Sequence, residues 1–390
     1  MDTDVLIVGA GPAGCSTALH LVQLDPAWAA RIVMIDRATF PRDKICGGGI
    51  TYFGYQLLEN LGLEEPACYP ARRVRVHYRR RRFSLEGDPT VRVVTRESFD
   101  AWLLNKVEAA GVEIRQNTEL SDLDVTTYGV RAATSDGEIS AHAVVAADGS
   151  LSRVRQVLNW PDKRPLGRTL EVITPVDPEH DPEFSGHTMA FDFSAVTSDG
   201  LQGYTWDFPT YLDGQPAVNR GIYDSRIVRR RRRADLRNIL GRALEQRGFH
   251  LAEHTLKSAP IRWWAGEGCI ARERVLLSGD AAGADPLFGE GIPFAIGFGG
   301  AAAGCLAHAF ATGDFTFSDY RRRALAHPIV RQIPTRATIA RLGYGFPNRL
   351  FLSSVWALVG ALVRNLDTAE KAWRMLDRAN RAVQRVRGRR

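Results

Sequence analysis

The stretch that most restricts what this chain can become is residues 4–14, Asp-Val-Leu-Ile-Val-Gly-Ala-Gly-Pro-Ala-Gly. A short apolar run ends on Gly9, Gly11 and Gly14 follow at G-x-G-x-x-G spacing, and apolar residues then recur at helical spacing over 13–24. In such a strand–turn–helix, Gly9 permits the tight turn, Gly11 lets a pyrophosphate approach the backbone, and Gly14 lets helix and strand pack closely. The helix offers its positive N-terminus to phosphate. Pro12 is tolerated in the first turn because its missing N–H has no helical partner there. A second strand, residues 31–35, ends on Asp36, where a carboxylate can accept ribose hydroxyls. With Pro12, Ala13 and Arg37, these residues form one half of a candidate dinucleotide site. The glycine spacing alone is a weak signal; strand, helix and acid in register strengthen it. NAD and FAD both use this fingerprint, so the rest of the chain must choose between them.

Further along, residues 97–110 read as an amphipathic helix stopped by Gly111, with a strand at 112–115. His142–Ala147 is a parallel-type strand ending in Asp148-Gly149, and Val275–Leu277 ends in Ser278-Gly279-Asp280 before a glycine- and alanine-rich helix. Between these pieces the texture changes. Residues 72–95 alternate like an antiparallel hairpin, and 166–262 carry β-branched and aromatic residues with turn signals at Asp199-Gly200 and Asp213-Gly214. The expectation is an α/β fold. A discontinuous Rossmann-type domain (1–71, 96–165 and 263–325) is interleaved with a mostly antiparallel β substrate-binding domain (72–95 and 166–262), and a helical C-terminal region (326–390) follows. In that region Leu350–Val363 is apolar for 14 residues, short of the about 20 needed to span a bilayer. A buried core helix is the first expectation there. An interfacial helix followed by the basic end Arg385–Arg390 is the second.

Composition excludes several functions. Five cysteines, with no Cys-x-x-Cys pair, argue against a zinc site and a disulfide framework, so no metal is expected. They fit a reducing cytoplasm, as does an acidic start that runs directly into a strand instead of a signal segment. The formal charge of +7 and the arginine runs Arg79–Arg82 and Arg229–Arg233 invite a nucleic-acid reading. No nucleic-acid fold motif accompanies them, and solvated faces are the expectation, with an anionic membrane surface or an acidic protein partner as alternatives.

The strand ends at Asp148-Gly149 and Gly279-Asp280 resemble those of FAD-dependent oxidoreductases of the para-hydroxybenzoate hydroxylase fold, and the chain to about residue 325 follows that pattern. The resemblance implies FAD as cofactor, with Gly279 and Asp280 at its ribitol hydroxyls. It also implies a helix near Gly289, Gly291 and Ile292 aimed at the flavin pyrimidine edge, where reduced flavin carries negative charge. Within this group the sequence is similar to the geranylgeranyl reductase family. It shares Phe40-Pro41-Arg42, Lys44 and Cys46–Gly49, and Tyr204, Trp206, Phe208 and Pro209. It also shares Gly279–Gly283, Pro286-Leu287 and Gly289–Ile292. Arg96 matches an arginine close to the cofactor, as Asp148 matches the strand-end acid. By this resemblance Gly47 and Gly48 let the backbone pass against the isoalloxazine ring, and Cys46 is catalytic at its reactive face. Tyr204, Trp206 and Phe208 then wall a long apolar tunnel. The sequence departs from the family at Thr210, Arg220, Tyr223 and Phe288, which bears on the substrate and not on FAD.

The resulting expectation is reduction of carbon–carbon double bonds in a long apolar isoprenoid by hydride transfer from reduced flavin. The electron donor stays open between NADPH and reduced ferredoxin, the latter being a protein partner, and the site of action is cytoplasmic or peripheral at a membrane. The competing expectation is a flavin monooxygenase acting on an aromatic or polyketide-like molecule. Halogenation is disfavoured because no lysine lies between Lys44 and Lys106. A third is a redox-silent flavoprotein that binds a prenyl lipid.

Overall fold

The computed structural model describes residues 1–161, 166–264, 268–346 and 348–364. Two sheets carry the fold, and their different sequence textures follow from what covers them. In the first, Val275–Leu277, Gly137–Ala146, Thr3–Val8, Ile32–Ile35 and Glu113–Arg115 lie side by side and parallel. Val5, Leu6 and Ile7 are fully buried, as a central parallel strand with both faces covered requires. A meander, Leu120–Val125 and Val130–Thr134, is attached to Gly137–Ala146 by antiparallel pairing.

The second sheet runs Lys257–Ile261, Gly167–Pro175, Gln215–Asp224, Gly203–Leu212, Thr188–Asp192, Tyr69–Tyr78, Arg81–Val93 and Gly49–Thr51. It is antiparallel except where Thr188–Asp192 pairs with Tyr69–Tyr78. Gly49–Thr51, which the sequence reading assigns to the first domain, pairs with Arg81–Val93 in this sheet. The chain therefore crosses from one sheet to the other immediately after Cys46.

Helices hold the first sheet from its faces. A Cβ at Gly14 would stand 2.0 Å from the Gly9 carbonyl oxygen, so glycine alone lets the helix Pro12–Leu24 sit on its own strand. The helix Ile292–Thr312 approaches it as closely: a Cβ at Gly299 would be 2.6 Å from Ser16 Cβ, and Ser16 Oγ donates to the Ile296 carbonyl at 2.8 Å. Among the described residues Ile292–Thr312 is the one helix long and apolar enough to cross a membrane, and 67% of that stretch is buried inside the protein. It is a core helix.

In the helix Arg349–Arg364 the part over residues 350–357 departs from the core-helix expectation. Leu352 is buried and Trp356 stacks on Tyr78 and Phe83 and packs tilted against Phe193, whereas Leu350, Phe351 and Val355 are exposed. The basic end Arg385–Arg390 lies outside the described residues. Arg79–Arg82 forms the exposed tip between Tyr69–Tyr78 and Arg81–Val93, and Arg231 of the second run donates to the Tyr344 carbonyl at 2.6 Å.

Candidate functional site

The carboxyl ends of the parallel strands open into a cleft whose far wall is the inner face of the second sheet. Of the residues singled out in the sequence, Gly9, Gly14, Asp36, Gly48 and Gly279 stand behind this lining, and the others form it. Gly9 adopts φ +106, and a Cβ there would lie 2.5 Å from the Ala147 carbonyl oxygen. Around Gly11 the nearest such atom is 3.7 Å away, so its backbone is open to the cleft. Asp36 binds the glycine turn itself: its two oxygens accept the N–H groups of Ala10 and Ala38, each at 2.8 Å. Each oxygen keeps a second acceptor position.

Two later strand ends supply carboxylates. Asp148 accepts the Val154 N–H at 3.0 Å, while its buried Oδ1 has no protein partner. Burial raises its pKa. Asp280 follows Gly279, which has φ +60, and accepts the Ser150 hydroxyl at 3.3 Å. Beside it Gly291 caps the helix Ile292–Thr312 with no side-chain acceptor, so the first-turn N–H groups at Gly291 and Ile292 are available to a ligand. Gly289, at φ +64, packs on the Tyr223 ring.

Cations gather opposite. Arg96, the first residue of the helix Arg96–Ala109, forms a bidentate pair with Asp100 at 2.8 and 2.7 Å, and Arg42 adds a contact to Asp100 at 3.0 Å. Burial alone would raise the Asp100 carboxyl, but Arg96 holds it below its ordinary value. Lys44 lines the cleft next to them, and first the Arg96 charge, then burial, lower its pKa. An anion is favoured at this place.

The Cys46 segment is gripped from the second sheet. Its N–H donates to Glu171 Oε2 at 3.0 Å, its carbonyl accepts Asn219 Nδ2 at 3.1 Å, and the Gly48 N–H points at its Sγ at 3.4 Å. A Cβ at Gly47 would be 2.6 Å from the Phe208 ring, at Gly48 1.9 Å from the Val94 carbonyl oxygen, and at Gly49 2.7 Å from Met189. The close approaches that demand Gly47 and Gly48 come from the protein itself, from the Phe208 ring and the Val94 carbonyl.

Tyr204, Trp206 and Phe208 face one way, opposite Tyr223, Gly221 and Asn219 on the neighbouring strand. The Trp206 ring lies over Gly221, where a Cβ would come within 2.2 Å, and its indole N–H donates to Asn219 Oδ1 at 2.8 Å. Phe191 packs edge-on against Tyr204 and Phe208. Three tyrosine hydroxyls hold the loop before Gly289: Tyr204 donates to the Phe288 carbonyl, Tyr223 to Pro286 at 3.2 Å and Tyr344 to Leu287 at 2.9 Å. Arg220, a departure from the family pattern, is buried away from the cleft on Asp207, Asp181 and Thr174.

Sequence reasoning missed Glu171, Asn219, Ser150 and the site role of Lys44. Lys44 stood inside a recognised segment. Glu171 and Asn219 carried no signal, because they meet Cys46 across 125 and 173 residues.

A family model described as FAD binding domain matches residues 2–313. The chain is 28% identical to menaquinone reductase of Mycobacterium tuberculosis, covering 93% of this chain and 97% of that one. It is 29% identical to digeranylgeranylglycerophospholipid reductase 2 of Methanopyrus kandleri, with 83% and 81% covered. A geranylgeranyl bacteriochlorophyll reductase-like protein of Thermoplasma acidophilum superposes with a TM-score of 0.72 at 21% identity, over 88% of this chain and 86% of that one. Flavin-dependent halogenases and a p-nitrophenol 4-monooxygenase also share the fold.

FAD fits the residues present. The open Gly11 backbone and the helix N-terminus behind it suit a pyrophosphate, the orphaned Asp148 oxygen and Asp280 suit hydroxyl donors, and the uncapped helix at Gly291 suits an electron-rich ring edge. Replacing Asp280 removes a charge-assisted hydrogen bond of about 1.5–3 kcal/mol. Asp280→Ala should therefore bind FAD at least about tenfold more weakly, with an unchanged far-ultraviolet circular dichroism spectrum. Flavin fluorescence after denaturation, per mole of purified protein, measures this; full retention of FAD would remove Asp280 from the site.

Proposed function

The chain belongs to the FAD-binding-domain family and is an FAD-dependent oxidoreductase, and from that premise we propose that it reduces carbon–carbon double bonds of an isoprenoid or prenyl-lipid substrate. One observation carries this reading: a thiol, Cys46, is held at the mouth of the nucleotide half and tied through Asn219 to Trp206 of an aromatic wall. Relatives named as menaquinone reductase and digeranylgeranylglycerophospholipid reductase support a reductase of prenyl lipids.

Saturating an alkene takes a hydride at one carbon and a proton at the other. When bound, reduced flavin supplies the hydride. The remaining work falls to the chain. An isolated alkene gathers positive charge as the proton arrives, and the faces of Tyr204, Trp206 and Phe208 favour a cation while excluding water. The hydroxyls of Tyr204 and Tyr223 are committed to the Phe288 and Pro286 carbonyls, and burial raises their pKa so that both stay neutral. Cys46 then gives its thiol proton to the alkene carbon and regains one from water after product leaves.

Outside the cleft, Ile339, Leu342, Leu350 and Phe351 are exposed on the last two described helices, and Phe346 between them. The exposed arginines of 79–82 adjoin Phe83, which stacks on Trp356 of the last of these helices. Exposed apolar side chains, with an arginine tip on the last helix, support contact with an anionic membrane from which a lipid substrate would enter.

Three outcomes are expected. Cys46→Ala should keep FAD and lose turnover by about 10²-fold or more. Cys46→Ser should fall between it and wild type or match it, because a hydroxyl holds position yet donates a proton less readily than a thiol of ordinary pKa about 8.5. Wild-type rates in both would make Cys46 a packing residue. Each five-carbon prenyl unit lost should weaken binding by a few kcal/mol, at about 0.8 kcal/mol per buried methylene. Flavin-fluorescence titration of C10, C15 and C20 prenyl compounds reads this directly. A flat series, with tight binding of a phenol and oxygen consumption, would favour the monooxygenase instead. Finally, vesicles containing anionic lipid should sediment the protein and neutral ones should not; equal behaviour with both would end the membrane reading.

A further inference from the structure

One buried carboxyl beside the cleft takes no part in the chemistry described above. Glu171 is 3% exposed, in the middle of Gly167–Pro175, on the same face as Thr169, which lines the cleft. Its neighbour across one strand pair is Gly221, and across the other Lys257. The Lys257 ammonium is engaged with Asp43 at 2.5 Å, on the more exposed side of that pair. Glu171 takes instead the N–H of Cys46, and Asn219 stands at its other side and binds the carbonyl of the same residue. A carboxyl without an ion pair is a costly choice for an interior position, where a glutamine of the same shape could accept the same N–H.

We infer that Glu171 is the positioning residue for Cys46: with Asn219 it grips the Cys46 residue at both its N–H and its carbonyl, and an acceptor oxygen at this place keeps the thiol aligned. This rests on the reading that Cys46 acts in the reaction. The groups facing Glu171 are Lys257 from one neighbouring strand, Asn219 from the other, and Asp43 and Cys46 from the loop above it. Burial raises its pKa to about 7, against hydrogen bonds from Asn219 and Cys46 that lower it.

A raised carboxyl pKa has a definite sign in stability, whereas the grip on Cys46 persists in either protonation state, because each keeps an oxygen that accepts the Cys46 N–H. The native state binds more protons than the unfolded chain between the ordinary value of 4.5 and about 7, so this group makes the protein less stable as pH rises across that window.

The test uses the FAD-loaded protein and the variants Glu171→Leu, Glu171→Gln and Cys46→Ala. Glu171→Leu should lower kcat/KM at least tenfold with its FAD content unchanged. Glu171→Gln should recover to within a few-fold of wild type, because its amide oxygen accepts the Cys46 N–H. It should also melt above wild type at pH 8, with the difference shrinking at pH 5. If Glu171→Leu does not fold, Glu171→Gln decides: a tenfold or greater loss of kcat/KM there, or wild-type kcat/KM in a folded Glu171→Leu, overturns the inference. Wild-type turnover in Cys46→Ala overturns the reading of Cys46 itself; loss there with an innocuous Glu171→Leu overturns only the positioning role.

Discussion

The crossing of the chain between its two sheets at Cys46–Gly49 is the constraint on which the rest depends. Three successive residues have their Cβ positions occupied by Phe208, the Val94 carbonyl and Met189. At Gly48, with φ +77 and its Cβ position filled by the Val94 carbonyl oxygen, the backbone passes there only as glycine. That passage leaves Cys46 at the cleft, with its N–H and carbonyl pointed into the second sheet, where Glu171 and Asn219 receive them. A side chain at Gly48 would drive the segment off the Val94 carbonyl, and one at Gly47 would meet the Phe208 ring.

Charge is arranged around this crossing in a consistent sense. Arg42 and Arg96 share Asp100, which leaves the cluster with Lys44 net positive where an anion is expected. The loop leading to Gly289 is fixed from outside by Arg336, which binds both Asp285 at 2.9 Å and Glu290 at 2.6 Å, and Glu290 accepts the Thr51 hydroxyl at 2.9 Å. Through Arg336 and Tyr344 the helix Ile333–Gly345 reaches the loop beside the cleft, while its Ile339 and Leu342 face outward. One helix thus braces the site and carries part of the exposed apolar surface.

The aromatic wall combines packing with hydrogen bonding. Trp206 could lie flat over its strand neighbour only where that neighbour is Gly221. Its indole N–H then finds Asn219, so the residue that orients the wall is also the one that holds Cys46. The polar ends of Tyr204 and Tyr223 are turned onto backbone carbonyls, which leaves apolar ring surface for a ligand. Such a wall suits an apolar molecule better than a polar one.

The glycine fingerprint at 9–14, the strand ends at Asp148 and Asp280 and the alternation of Tyr204 with Trp206 were legible in the sequence because each depends on near neighbours. Turn geometry, helix entry and strand pairing leave local residue requirements, and those survive as spacing. The pairing of Gly49–Thr51 with the second sheet, the one-sided packing of residues 350–357 and the grip of Glu171 and Asn219 on Cys46 left no such mark. These contacts join residues far apart in the chain, and a lone glutamate or asparagine in a strand looks the same whether it meets water or a buried peptide. Only the tertiary structure decides that, because burial and partner are properties of position in space and not of spacing along the chain.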